Sequence, residues 1–128
     1  TTHFIDDGAG VVHAGSGVVL GTEILAGTIE VHRDAERARR LAYSLVDLTE
    51  VLELRVSSDE LRQIAGEDHL LASLNPKFVV AIVAPRDHPY GMARMWEAFV
   101  EDTDWRIDVF RTRSAANAWL KDRLALTI

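Results

Sequence analysis

The chain has 128 residues, 48% of them hydrophobic and 27% charged, and its 14 basic and 20 acidic side chains give a formal net charge of −6. Length and composition favour one folded domain over residues 1–128 and exclude a disordered chain, while the acidic balance argues against generic nucleic-acid binding. The sequence has no cysteine, which excludes disulfides, thiolate catalysis and Cys-ligated metals and makes a cytoplasmic location the natural expectation.

No segment has the pattern of a targeting signal or a membrane span. The N-terminal stretch TTHFIDDGAG lacks the basic and apolar regions of a signal peptide. The longest apolar run, FVVAIVAP, is much shorter than the ~20 residues that cross a bilayer. We therefore predict no membrane span.

The first third of the chain predicts a β-hairpin followed by a helix. HFID and VVHA flank the turn sequence DGAG, which indicates two antiparallel strands. The glycine-rich GSGVVLG leads into a helical pattern in which Thr22 is the expected N-cap and Ile24, Leu25 and Ile29 have helical spacing. RDAERARR is expected to be a solvated extension or loop.

The middle of the chain predicts strand, helix and strand. AYSLVDL is an apolar run of strand type, and SSDELRQIAGEDHLLASL is the clearest helical pattern. Ser57 and Glu60 have the spacing of a capping box at the start of this helix, and Asn75-Pro76 should end it. FVVAIVA, which is β-branched and unalternating, predicts a central parallel strand covered on both faces.

The last third predicts a third helix in PRDHPYGMARMWEAFVEDTD with Asp87 as N-cap, an edge strand in WRIDVF and a final helix in TRSAANAWLKDRLA. The resulting order is ββαβαβαβα. Strands that alternate with helices imply an α/β fold with a mostly parallel sheet, one antiparallel strand from the opening hairpin, and helices packed on the sheet.

The sequence contains no recognisable enzyme motif, and no pair of its five histidines has metal-ligand spacing. We therefore predict no catalytic residue, no metal and no cofactor. The abundant carboxylates fall mostly in loops or at helix ends, where solvation explains them: Asp6, Asp7, Glu50, Glu53, Glu67, Asp68, Glu101, Asp102 and Asp104.

Asp47 differs from these carboxylates because it lies at the expected C-terminal end of a central strand, where open α/β sheets bind ligands. The helix that follows offers free N–H groups at its start. Asp47, Ser57 and Ser58 are thus a candidate ligand or anion site. The simpler alternatives are that Asp47 accepts N–H bonds from the next loop and that Ser57 is only a helix cap.

The third helix carries a candidate interaction face made of Tyr90, Gly91, Met92, Met95 and Trp96. Most of this stripe should be core, because the helix must cover the sheet, and Tyr90 and Met92 are the members expected to be exposed. A glycine in the first turn costs about 1 kcal/mol relative to alanine. Gly91 therefore suggests a close approach of the backbone to a ligand, another chain or a neighbouring helix.

The order of elements, with LVDLTEV before the second helix and VAIVAP, GMARMWEAF, VFR and AANAWL later, resembles the STAS fold of anti-sigma factor antagonists. More specifically, it is similar to STAS-like proteins related in shape to CRAL-TRIO lipid-binding domains. The resemblance covers nearly the whole chain and implies a non-catalytic regulatory domain.

In the antagonists, an Asp-Leu pair near the strand end precedes an Asp-Ser-x-Gly motif whose serine is phosphorylated by the anti-sigma kinase. Alignment on Asp47-Leu48 without gaps places Arg55 and Val56 at the Asp and Ser of that motif and Ser58 at the Gly. A shift of one residue, to Ser57, would be needed to restore the phosphorylated serine. We therefore expect the STAS-like scaffold without its phosphorylation switch.

Three functional hypotheses follow. The preferred one is an interaction module that binds another protein or itself, as a homodimer, through the face of the second and third helices. The alternative is a carrier of a small apolar ligand or lipid, with a pocket beneath the third helix and polar groups near Asp47 and Ser57. The third, an enzyme that combines Asp47 with His69 or His88, requires those groups to converge.

Overall fold

A computed structural model describes residues 1–126 and shows a five-stranded sheet with helices on both faces. The strands are β1 (Thr2–Ile5), β2 (Gly10–Leu20), β3 (Tyr43–Arg55), β4 (Val79–Val83) and β5 (Arg106–Phe110). The helices are α1 (Gly21–His32), α2 (Ala35–Arg40), α3 (Ser58–Leu74), α4 (Asp87–Phe99) and α5 (Arg113–Leu126).

The strands lie side by side in chain order, with β1 antiparallel to β2 and every later pair parallel. This confirms the predicted α/β class with a mostly parallel sheet. Because right-handed crossovers that always step to the next strand keep the connecting helices on one face, α1 to α4 share a face. The last helix, α5, packs on the opposite face.

Two hydrophobic clusters fill the spaces on either side of the sheet. The larger one, beneath α1 to α4, includes Val11, Leu71, Val80, Ile82 and Trp105, and the smaller one, beneath α5, includes Leu45, Val79, Ala81, Val83, Ala116 and Leu120. All five residues of β4 are buried, with successive side chains in opposite clusters. This confirms the prediction of a central strand covered on both faces.

The ends of α3 are formed as the sequence predicts. The Ser57 hydroxyl accepts a hydrogen bond from the Glu60 N–H at 3.0 Å, and the Glu60 carboxylate accepts one from the Ser57 N–H at 2.9 Å. At the other end Asn75 is the C-cap, and its buried side-chain amide donates to the Ala38 carbonyl at 2.9 Å. The capping box and the helix stop at Asn75-Pro76 are therefore confirmed.

The junction between β2 and α1 differs from the prediction. The GSGVVL stretch continues β2 as far as Leu20, because it pairs, through two register shifts, with an extension of β3 that ends at Arg55. The helix therefore begins at Gly21, and Leu20 rather than Thr22 is the N-cap. A Cβ at position 21 would lie 2.7 Å from the Glu60 carboxylate, so a larger residue there would displace the Glu60 side chain.

Two further local predictions were wrong. RDAERARR is not a loop but contains α2, which Asp34 caps by accepting from the Arg37 N–H at 3.2 Å and which buries Ala38 in the core. Asp87 is the first residue of α4 and not its N-cap. Its carboxylate instead accepts a hydrogen bond from Arg111 at 2.8 Å, a contact between elements that local sequence patterns do not reveal.

Candidate functional site

A cavity of about 600 Å³ lies between the sheet and the helices α1, α3 and α4. The strand residues that line it include Val46, Val80 and Ile82, and the helical ones include Ile24, Ile64, Leu71, Met92, Ala93 and Trp96. Side chains of these types make the lining predominantly apolar. A pocket of this size is in the range that holds drug-sized ligands.

The cavity meets the surface beside the second half of β2. Most of its lining is buried or half-buried, but Thr1, the β2 residues Ala14 and Ser16, and Glu23 in the first turn of α1 are exposed. These exposed residues border the open side of the cavity.

Asp68 is an ionisable residue in the cavity wall, and only 8% of it is exposed. It projects from α3, and its Oδ2 accepts a hydrogen bond from the Trp96 indole N–H of α4 at 2.7 Å. Oδ1 accepts no hydrogen bond within the described part of the chain. Burial raises the pKa of the Asp68 carboxyl to about 7, against the lowering effects of the Trp96 hydrogen bond and of nearby His69.

Two further polar side chains line the cavity from the sheet. Ser44 is 4% exposed, and among residues 1–126 its hydroxyl has no hydrogen-bond partner. His13 is half-buried, with Nδ1 3.0 Å from the Thr2 hydroxyl, and burial lowers its pKa to about 4. His13 is therefore neutral at physiological pH.

Asp47 has hydrogen-bond partners within the protein, although the N–H that it accepts comes from β3 itself and not from a following loop. Its Oδ1 accepts a hydrogen bond from the Thr49 N–H at 3.0 Å, and its Oδ2 pairs with Arg113 at 2.7 Å. Desolvation is the largest single effect and raises the pKa of the Asp47 carboxyl. The contacts with Thr49 and Arg113 together outweigh it, so the pKa is lowered. Asp47 lies where the pairing of β3 with β4 ends, but it does not line the cavity.

Ser57 and Ser58 also lie outside the cavity lining. The Ser57 hydroxyl is engaged in the capping box, and the Glu60 carboxylate occupies the N-terminus of α3 where an anion would bind. The structure therefore does not bring Asp47, Ser57 and Ser58 together as one ligand site.

The candidate interaction face is divided between interior and surface. Met92 and Trp96 line the cavity, whereas Met95 is 44% exposed. Tyr90 is half-buried against the core, with the Arg111 guanidinium 3.9 Å from its ring centroid. Gly91 is exposed, and a Cβ there would meet nothing within 4 Å, so no neighbouring helix approaches it.

The histidines considered for catalysis are held apart from Asp47 by other partners. His69 contacts the Asp102 carboxylate at 2.8 Å and the Ala65 carbonyl, and His88 contacts the Leu54 carbonyl at 3.0 Å. No hydrogen bond or ion pair among the described residues joins Asp47 to either imidazole. The same residues contain no group of three or more His, Asp or Glu side chains placed to hold a metal.

Asp68 is the site residue that the sequence analysis misjudged, because it was counted among the solvated carboxylates. A signal for its position was present. Leu61, Ile64, Ala65 and Leu71 are buried on one face of α3, and position 68 follows Ile64 by four residues and Leu61 by seven. Helical periodicity alone therefore places this carboxylate on the apolar face.

The comparisons with family models, with curated proteins and with solved structures gave no match to this chain. Within residues 1–126, no helix is long and apolar enough to cross a membrane.

Proposed function

We propose that this protein binds a small, largely apolar molecule in the cavity beneath α1, α3 and α4. The observation that carries the proposal is the cavity itself, about 600 Å³ in volume, with an apolar lining and a mouth beside β2. Protein interiors are normally packed as densely as organic crystals, and voids larger than a water molecule are few. A cavity many times that size is therefore best explained as space for a ligand.

The polar groups of the cavity support this proposal. Ligand pockets are typically apolar with a few convergent polar side chains that fix orientation. Here Ser44 and His13 lie on the sheet side and Asp68 on the helix side. The Ser44 hydroxyl and the Asp68 Oδ1 have no hydrogen-bond partner among the described residues and line the cavity, so both are positions where a ligand could form a hydrogen bond.

The test is a titration with N-phenyl-1-naphthylamine, a neutral apolar fluorophore whose emission rises in apolar surroundings. We expect saturable binding of one fluorophore per chain. Trp96 and Trp105 line the cavity and Trp119 lies on the other face of the sheet, so the fluorophore should also quench part of the tryptophan emission.

Two matched variants locate the binding site. Ala93→Phe adds a ring from the cavity wall and should abolish binding, whereas Ala118→Phe adds the same ring to an exposed position on α5 and should leave it intact. Thr28→Phe blocks the cavity from α1 if Ala93→Phe does not fold. Equal binding to the wild type and to a folded blocking variant would contradict the proposal.

A self-associating interaction module of STAS-like type is the second candidate function. It is supported by two large apolar side chains on the predicted face of α3 and α4, since Leu70 is 54% and Met95 44% exposed. Adaptable methionine side chains are common at surfaces that bind other proteins. The two candidates are compatible, because the cavity opens beside β2 rather than on this face.

A further inference from the structure

We infer that the ligand of this cavity carries a protonated amine head group that pairs with the free carboxylate oxygen of Asp68. The inference rests on the proposed function and names the chemical class of its ligand. It is carried by the charges of the cavity lining and by the hydrogen-bonding positions left open inside it.

The charges around Asp68 select against an anionic head group at that position. The ionisable side chains that line the cavity are Asp68, Glu23 and His13, and no Lys or Arg occurs among the described lining residues. The Thr1 ammonium also lines the cavity, where it donates to the Ala14 carbonyl at 2.6 Å. His13 is neutral at physiological pH because burial lowers its pKa to about 4. A carboxylate or phosphate head group placed against Asp68 would therefore be buried beside another carboxyl group and without a Lys or Arg partner, at a large desolvation cost.

The geometry at Asp68 selects for a hydrogen-bond donor. The Trp96 indole N–H occupies Oδ2, so Oδ1 is left to accept from a group inside the cavity. A primary ammonium group has three N–H donors and satisfies this oxygen through a charge-assisted hydrogen bond. The unpartnered Ser44 hydroxyl offers a further acceptor on the sheet side of the cavity.

Ammonium binding should also release a proton from Asp68. Burial raises the pKa of this carboxyl to about 7 in the empty cavity, so part of the population carries the proton at neutral pH. The charged groups around it are Glu67 and His69 on α3 and Glu23, which lines the same cavity from α1. An incoming cation favours the ionised carboxylate, and the proton passes to the buffer.

The experiment displaces bound N-phenyl-1-naphthylamine with three probes of equal chain length: 1-octylamine, 1-octanol and octanoate. We expect octylamine, which is protonated at pH 7 as a lysine side chain is, to displace the fluorophore at about tenfold lower concentration than octanol, because hydrogen bonds to a charged group are the stronger ones. Octanoate should displace it least. Calorimetry in two buffers of different ionisation enthalpy should show the proton release with octylamine only.

Asp68→Asn is the decisive variant, because it keeps an acceptor for the Trp96 indole and removes the charge. We expect it to lose the preference for octylamine over octanol and the proton release. Asp104→Asn is the matched control, since Asp104 is exposed and does not line the cavity. It should behave as the wild type.

The outcomes separate this inference from the proposed function. If the fluorophore binds but octanol or octanoate displaces it as well as octylamine does, the amine inference is overturned and the cavity is still a binding site. An unchanged octylamine preference in folded Asp68→Asn would overturn it as well. If the fluorophore does not bind the wild type at all, the proposed function fails first, and the inference fails with it.

Discussion

At the scale of single residues, Asp68 occupies the environment least suited to its type. A carboxyl group whose pKa is raised from 3.8 to about 7 on folding binds more protons in the native state than in the unfolded state between those pH values. Stability therefore falls as the pH rises from about 4 to about 7, and the shift corresponds to about 4 kcal/mol at full ionisation.

We predict that Asp68→Asn is more stable than the wild type at pH 8, by up to about 4 kcal/mol, and close to it at pH 4. Asparagine cannot ionise but still accepts the Trp96 hydrogen bond. Urea denaturation at both pH values measures the difference. A constant difference across the pH range would contradict the raised pKa.

The titration of His13 changes stability with pH in the opposite direction to that of Asp68. Burial lowers its pKa from 6.5 to about 4, so the native state binds fewer protons than the unfolded state in that range, and stability rises with pH. In the wild type, the titration of His13 makes stability rise with pH, whereas the titration of Asp68 makes it fall. We therefore expect Asp68→Asn to reveal the His13 slope, with stability increasing between about pH 4 and pH 6.5.

At the scale of elements, the N-terminus of α3 is a local structure that residues close together in the sequence specify. The reciprocal hydrogen bonds of Ser57 and Glu60 satisfy two backbone N–H groups that the helix leaves free. The same Glu60 carboxylate lies against Gly21 at the start of α1. One capping box thus also fixes where two helices meet.

We predict that Ser57→Ala lowers the free energy of unfolding by about 1 kcal/mol and that Ser57→Asp recovers most of this loss, because aspartate caps about as well as serine. Ser58→Ala is the matched control, since Ser58 is exposed and makes no cap hydrogen bond. Thermal or urea unfolding gives the comparison. A loss of several kcal/mol in Ser57→Asp would mean that Ser57 has a role beyond capping.

The lengths of β2 and β3 were less predictable than their existence. VVHA and AYSLVDL have the composition of strands, and both segments are strands. Their extensions, GSGVVL and TEVLELR, contain glycines or charged residues and pair with each other. A strand that depends on a partner distant in sequence leaves a weak local signal.

At the scale of the whole molecule, the predicted homodimer is best tested at Met95. Met92 faces the cavity, so a charge there would disturb the interior, whereas Met95 is exposed on α4. If copies associate through this face, Met95→Glu should lower the dimer fraction at least severalfold, because a buried unpaired carboxylate opposes association.

Asn117→Glu makes the same change of charge on an exposed position of α5, on the other face of the sheet, and serves as the control. Native mass spectrometry or sedimentation equilibrium at several concentrations measures the dimer fraction. A wild type that is monomeric throughout, or a Met95→Glu variant that keeps the wild-type dimer fraction, would rule out this interface.

The sequence by itself determined the α/β class, the buried central strand, the edge strand β5 and the capping box of α3, because each depends on residues that are close together in the chain. The tertiary structure decided which polar side chains share a site. Asp68, Ser44 and His13 come from α3, β3 and β2 and meet only around one cavity, whereas Asp47 and Ser57 have other partners. A cavity is the space left between packed elements, and no local pattern encodes that space.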